Sequence, residues 1–215
     1  MTRRHGLFVT LEGGEGVGKS TQLPLIADAL RDQGHEVVTT REPGGSPGAE
    51  ALRQLLLFGE AELSVRAEVM AHFAARTDHV DRVIRPALEA GKIVLCDRFS
   101  DSTMAYQGYG RAAGNPELVG LIARLTELVA IRPDLTLLFT ADPAITQERL
   151  TARAARADRY EQADHMFHQR VRDGFRTIAA SDPDRFHEIC TDDRDIPAVT
   201  KAATAVVNAR LKKAA

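Results

Sequence analysis

Cysteine is scarce in this chain of 215 residues, no apolar run is long enough to span a bilayer, and neither sign of charge dominates. Each shortage excludes something. The two cysteines, Cys96 and Cys190, each lie within an apolar run that reads as a buried strand, which favours inert core thiols over a disulfide or a metal site. Without a membrane-length run the chain is not expected to enter a membrane. The opening Met1-Thr2-Arg3-Arg4-His5-Gly6 carries charge but no signal-peptide apolar core, so a cytoplasmic location is expected. A formal net charge of −2 argues against a protein devoted to nonspecific binding of nucleic acid or membrane surfaces. Internal repeats and low-complexity linkers are lacking. The length suits one α/β domain over residues 1–215 and is too short for two.

What is present alternates. Strand-like runs occur at Leu7 to Glu12, Val37 to Arg41, Ile93 to Asp97, Leu135 to Thr140 and Phe186 to Cys190, with helix-like stretches between them. Short β-rich runs without polar alternation predict a five-stranded parallel sheet covered by helices on both faces, a three-layer α/β/α architecture. Asn115-Pro116-Glu117 and Asp142-Pro143 each offer a capping side chain before proline at the first helical position. Ser64 precedes an apolar pattern through Met70, Phe73, Val80, Val83 and Ile84 up to Pro86. Pro24, past the first turn of the helix expected from Ser20 to Gly34, predicts a distortion there.

The stretch that carries chemistry is Gly13-Gly14-Glu15-Gly16-Val17-Gly18-Lys19-Ser20, followed by Thr21. It matches the phosphate-binding loop pattern in its required setting of strand, loop and helix. Glycines let successive backbone N–H groups turn inward to hold polyphosphate oxygens at the helix N-terminus. Lys19 would reach the outer phosphates, and Ser20 would offer an oxygen to Mg²⁺. The loop names no reaction by itself, because switches and motors share it.

Ligands of such sheets sit beyond the carboxyl ends of the strands. Glu12, Arg41-Glu42 and Asp97-Arg98 all end strands on that edge. Asp97 is therefore a candidate for holding Mg²⁺ or its waters. Arg41-Glu42-Pro43-Gly44-Gly45, with Arg53 further on, fits a lid over an anionic second substrate, and fits a helix-entry loop with surface arginines as well. Arg76 has the same two readings, on a face shared with Asp78 and Arg82. The hydroxyl, amide and aromatic residues from Ser100 to Tyr109 suit hydrogen bonding and stacking on a base. Arg149, Arg153, Arg156 and Arg159 form either a solvated helix face or an arginine-bearing lid, over about 149–162, that compensates for a loop whose Gly16 and Val17 supply no arginine.

In order along the chain, the phosphate loop, Arg41-Glu42-Pro43-Gly44-Gly45, Asp97-Arg98 with Ala105-Tyr106-Gln107-Gly108, and Asp158-Arg159-Tyr160-Glu161 make the sequence resemble the bacterial thymidylate kinase family of P-loop nucleoside monophosphate kinases. The resemblance covers nearly the whole chain. It implies transfer of the γ-phosphoryl group of ATP to dTMP with Mg²⁺, and a homodimer formed around the long helix after Ser64. It also implies that Glu15 approaches the acceptor sugar and that Arg41, Arg53 and Arg98 surround the acceptor phosphate, beside Pro43. Arg76 and Gln107 would read thymine, with Ser102, Thr103 and Tyr106 lining the base site. Arg153, Arg156 and Arg159 would be the candidates for a catalytic lid arginine. One departure stands out: where the family usually carries a stacking aromatic residue, this chain has His72, with Phe73 beside it. Another small kinase of the same fold would differ mainly around Arg76 and Gln107; a nucleotide-dependent switch or binding module is the rival class, and the Asn-Lys-x-Asp guanine signature is lacking.

Overall fold

A computed structural model describes residues 6–152, 160, 163–192 and 194–214. Its strands are β1 (Leu7–Glu12), β2 (Val37–Arg41), β3 (Ile93–Asp97), β4 (Leu135–Thr140) and β5 (Phe186–Cys190). All pairings are parallel, in the order β2-β3-β1-β4-β5, so the five-stranded parallel sheet expected from the sequence is the one that forms. β1 is central, and each of its residues is buried.

Alternation along β1 sorts the core into two faces. Leu7, Val9 and Leu11 pack with Ile26, Ala27 and Leu30 of α1 (Lys19–Asp32) and Val199, Ala203 and Val207 of α9 (Ile196–Ala214). Phe8 points the other way, into Val80, Ile84, Ala87 and Phe99. Glu12 follows Phe8 by an even number of residues, so it too faces this second side. The edge strands are less covered: β2 is half-exposed, and Cys190 on β5 is exposed. The reading of both cysteines as core thiols therefore holds for Cys96 and fails for Cys190, because an outermost strand has a neighbour on one side only.

α1 runs unbroken through Pro24, contrary to the predicted distortion. Only the bond from residue 24 to the Ser20 carbonyl is forfeited, close to the N-terminus, while Ile26, Ala27 and Leu30 beyond it are fully buried. α2 (Pro47–Phe58) starts at Ser46 and α3 (Val65–His79) at Ser64, each serine accepting a backbone N–H of the first turn, worth about 1 kcal/mol apiece. The pattern after Ser64 does not stop at Pro86. α3 passes through a π-helical turn, Val80–Ile84, into α4 (Arg85–Glu89), where Pro86 occupies a starting position that needs no donor. Met70 of that pattern is exposed.

The residues after β3, whose side chains in sequence suit hydrogen bonding and stacking on a base, are helical: α5 (Ser100–Thr103) continues into a π-helical stretch, Met104–Arg111. Such stretches recur at functional sites, where the extra residue per turn redirects side chains. The remaining helices are α6 (Pro116–Val129), α7 (Pro143–Thr151) and α8 (His165–Ser181), the first two capped by Asn115 and Asp142 as their sequences predict. Among the described residues no helix is long and apolar enough to cross a membrane.

Candidate active site

The loop between β1 and α1 is shaped by what it touches. At Gly13 φ is +132°, and a Cβ there would lie 2.2 Å from the Phe139 carbonyl oxygen of β4. At Gly16 φ is +74°, and a Cβ would meet the Thr146 carbonyl oxygen of α7 at 2.8 Å. Any side chain at Gly16, an arginine included, would force α7 and the loop apart. Arg149 of α7 ties the same corner down, donating to the Gly16 carbonyl at 3.3 Å and to Thr191 Oγ1 at 3.0 Å.

Lys19 Nζ lies inside the loop, donating to the carbonyls of Gly13 (3.1 Å) and Gly14 (2.7 Å). Burial, helped by the Arg98 charge, lowers its pKa to about 8 against the pull of Glu15 and Asp97. Ser20 Oγ donates to Asp97 Oδ2 at 3.2 Å, and Asp97 Oδ1 is buried without a hydrogen-bond partner. A hydroxyl beside a carboxylate with an unused oxygen, next to a phosphate loop, fits a magnesium ion that takes few protein ligands and the rest from phosphates and water. Among the described residues no group of three or more His, Cys, Asp or Glu side chains forms a site that would hold an ion unaided.

Opposite the loop is a cavity of about 300 Å³. It gathers Glu15, Lys19, Ser20, Arg41, Pro43, Arg53, His72, Arg76, Asp97, Arg98, Ser102, Thr103, Tyr106 and Gln107 from segments widely separated in sequence. Phe73 is not on its wall; it packs with Val69 and Ile122 beneath the Arg76 guanidinium, 4.7 Å from ring centre to Arg76 Cζ. His72 is therefore the aromatic side chain of the pair that faces the cavity. Arg153, Arg156 and Arg159 lie outside the described residues. A larger hollow of about 440 Å³ lies on the other flank of the loop between α7 and α8, lined by Gly13, Gly14, Glu15 and Val17 among others. The denser cluster of charges belongs to the smaller one.

One end of the cavity is cationic. Arg98 has φ +69°, a left-handed conformation that costs a non-glycine residue roughly 1–3 kcal/mol. Its neighbours hold it there: Arg98 N donates to the Leu11 carbonyl, and Phe99 N donates to Glu12 Oε1 at 2.7 Å. The Phe99 ring packs edge-on to Phe8 with centroids 5.0 Å apart. The result aims the guanidinium back across the loop, where Nη1 donates to the Gly13 carbonyl at 2.8 Å and Nη2 to Glu15 Oε1 at 2.6 Å. Burial opposes both charges of this pair, yet Arg98 holds the Glu15 carboxyl below the usual range and Glu15 raises the Arg98 pKa. Arg53 donates to the Pro43 carbonyl at 2.7 Å, and Arg41 pairs with Glu50 at the exposed rim.

The other end is a buried polar network. Arg76 Nε donates to Glu42 Oε2 (2.8 Å) and Nη2 to Thr103 Oγ1 (2.9 Å), while its Nη1 is buried without a partner. Glu42 Oε1 pairs with His79 Nδ1 at 2.9 Å, and His79 Nε2 with Thr40 Oγ1 at 2.7 Å. Gln107 Nε2 donates to Glu68 Oε1 at 2.8 Å and to the Tyr160 hydroxyl at 3.0 Å. His72, whose pKa burial and then Arg76 lower to about 3, is neutral and bonded to the same hydroxyl at 3.1 Å. At the centre, Glu12 accepts from Ser102 Oγ at 2.6 Å; burial, then Asp101, raises its pKa to about 8. Sequence reasoning assigns Glu12, Glu42 and Glu68 no role in the site. For Glu12 and Glu42 the signal is there, a carboxylate at the end of a strand on the ligand edge. Glu68 sits in the first turn of α3, and nothing in the sequence singles it out.

A phosphate loop facing a second, arginine-rich cavity across one sheet edge defines a P-loop kinase for a small phosphorylated acceptor. A sequence model of thymidylate kinase matches residues 11–202. A thymidylate kinase from Gluconobacter oxydans is 55% identical over 184 residues, covering 86% of each chain. One from Caulobacter vibrioides is 48% identical over 209 residues, covering 96% of this chain and 98% of its own. The crystal structure of thymidylate kinase from Ehrlichia chaffeensis superposes with a TM-score of 0.76 at 36% identity, covering 95% of this chain and 99% of its own. The chain belongs to the thymidylate kinase family.

Proposed function

We propose that the phosphate loop holds ATP, that the cavity opposite holds dTMP, and that the chain moves the γ-phosphoryl group from the first to the second, yielding ADP and dTDP for dTTP synthesis. The observation that carries this is the sharing of Glu15 and Lys19 by both: the loop that would hold the donor forms one wall of the acceptor cavity.

In this reading the N–H groups of Gly13 to Thr21 and Lys19 hold the donor phosphates. Ser20, backed by Asp97, would hold Mg²⁺, whose charge offsets that of the phosphates when bound. Arg98, Arg53 and Arg41 orient the acceptor phosphate, with Glu15 fixing Arg98. A phosphate oxygen is nucleophilic enough near neutral pH, so no general base is required. At the far end the unpaired Arg76 Nη1 and the Gln107 carbonyl read the base edge. His72 lies against the ring, with Ser102, Thr103 and Tyr106 around it. A lid arginine among Arg153, Arg156 and Arg159 completes the charge balance at the transferred group. We further propose that the chain is one domain throughout, works in the cytoplasm, and pairs as a homodimer beside α3, where exposed Met70 and Leu55 on adjoining helices are consistent with a covered face.

The test is ADP release with ATP and Mg²⁺ against dTMP, dUMP, dCMP, dGMP, AMP and thymidine. Strong preference for dTMP is expected. Preference for another acceptor would retain the loop chemistry and overturn the base assignment. Silence across the panel, with ATP still bound, would favour a nucleotide-binding module.

A further inference from the structure

We propose that Glu68 and Tyr160 are positioning residues for specificity: together they lock the Gln107 amide with its carbonyl toward the base, so that the site demands a hydrogen-bond donor at pyrimidine N3. The inference rests on the reading above that the Gln107 end of the cavity receives the base.

A carboxylamide can present either its oxygen or its nitrogen, and the two ends differ little in shape. What surrounds it must choose. Glu68 is a fully buried carboxylate on α3, with Arg111 as counter-charge 3.7 Å from its Oε2. Set against that cation the carboxylate accepts, so the group 2.8 Å from its Oε1 is the Gln107 nitrogen. The Tyr160 hydroxyl has one proton and gives it to the same Glu68 oxygen at 3.0 Å. It can then only accept, from the second Nε2 proton of Gln107 and from Nε2–H of neutral His72. Both amide protons are thereby spent inside the protein. Among the described residues nothing pairs with Gln107 Oε1, although Gln107 lines the cavity. A flipped amide would set oxygen against carboxylate oxygen in a water-poor interior and strand two acceptors.

The outward carbonyl accepts from thymine or uracil N3–H, while Arg76 Nη1 donates toward O4. Cytosine reverses both groups, offering an acceptor at N3 and donors at N4. The discrimination is thus set behind Gln107, by a carboxylate that never meets the ligand.

The experiment compares kcat/KM for dTMP, dUMP and dCMP in the wild-type chain and in Glu68→Gln, Tyr160→Phe and Gln107→Ala. Glu68→Gln can donate to a flipped Gln107 oxygen, so the dTMP-to-dCMP ratio should fall at least about tenfold, with dUMP following dTMP. Tyr160→Phe, which keeps the ring and loses one acceptor, should lower the ratio less, and it tests the same lock should Glu68→Gln fail to fold. Mere loosening of the cavity would depress all acceptors in parallel, and a ratio unchanged in the folded variants would overturn the lock. Gln107→Ala separates the two readings. If it leaves dTMP efficiency at the wild-type level, Gln107 does not face the base and both fall. If it cripples dTMP use while Glu68→Gln keeps the ratio, the base reading stands and only the lock is lost.

Discussion

The two sides of the active cleft are built by different means. On the proposed reading the donor side is mostly local, one strand, one loop and one helix turn in which backbone N–H groups and glycines do the positioning, with Lys19, Ser20 and, from β3, Asp97 as its working side chains. On the same reading the acceptor side is assembled from side chains of β2, α2, α3, β3 and the π-helical stretch after α5, and its readers have carboxylates against them, all but Glu15 buried. Glu15 holds Arg98, Glu42 holds Arg76, Glu68 holds Gln107, and Glu12 holds the turn that carries Arg98. Phosphate is the same in every nucleotide, so a peptide cradle suffices for it. A particular base needs donors and acceptors at fixed angles, and flexible side chains acquire them only when a second group restrains each one.

The comparison predicts that damage on the donor side affects rate while damage on the acceptor side affects stability as well. The largest effect should come from Lys19→Ala. Its ammonium is buried among loop carbonyls, and burial lowers its pKa to about 8, so removing the charge is expected to cost the fold little. Turnover should drop roughly a thousandfold, about 4 kcal/mol of transition-state stabilisation, with the thermal midpoint preserved or raised. Steady-state kinetics beside a melting curve decide it, and near-normal turnover would remove Lys19 from the mechanism.

Glu42→Ala is the counterpart. It leaves the Arg76 guanidinium, already short of a partner at Nη1, buried without its counter-charge and His79 without its acceptor. Removing one member of a buried pair costs about 3–5 kcal/mol, so calorimetry should show a midpoint many degrees lower, with weaker dTMP binding and nearly unchanged ATP binding. A variant as stable as the parent would show that Arg76 does not depend on its carboxylate, and the contrast between the two sides would collapse.

The same contrast explains what is legible in the sequence. All five strands, the phosphate loop and the caps at Ser64, Asn115 and Asp142 are local signals, written in consecutive residues, and each is found where the sequence puts it. Cys190 misleads because its exposure depends on strand order, which no single run reveals. Pro24 misleads because a local conflict is outweighed by burial along the rest of α1. Glu68 and His79 escape notice because a carboxylate in the first turn of a helix or an imidazole in its last looks like surface until its partner, 39 residues away in each case, is brought against it.

The smallest expected effect concerns His72, the member of the His72-Phe73 pair that faces the cavity. His72 and Arg76 stand one turn apart on α3, so both reach the cavity, while Phe73 points about a quarter-turn away into α6. A neutral imidazole is a smaller stacking platform than a phenyl ring, but its Nε2–H also satisfies the Tyr160 hydroxyl. His72→Phe therefore exchanges one hydrogen bond for greater ring overlap. Aromatic stacking on a base is worth about 1–3 kcal/mol, of which the change from imidazole to phenyl is a fraction. Because the hydroxyl keeps its bonds to Glu68 and Gln107, the gain should prevail: KM for dTMP should fall about threefold with kcat and the dTMP-to-dCMP ratio unchanged. A rise in KM accompanied by a lower ratio would mean instead that His72 serves the buried network more than the base, and would place it with Glu68 and Tyr160 among the residues that orient Gln107.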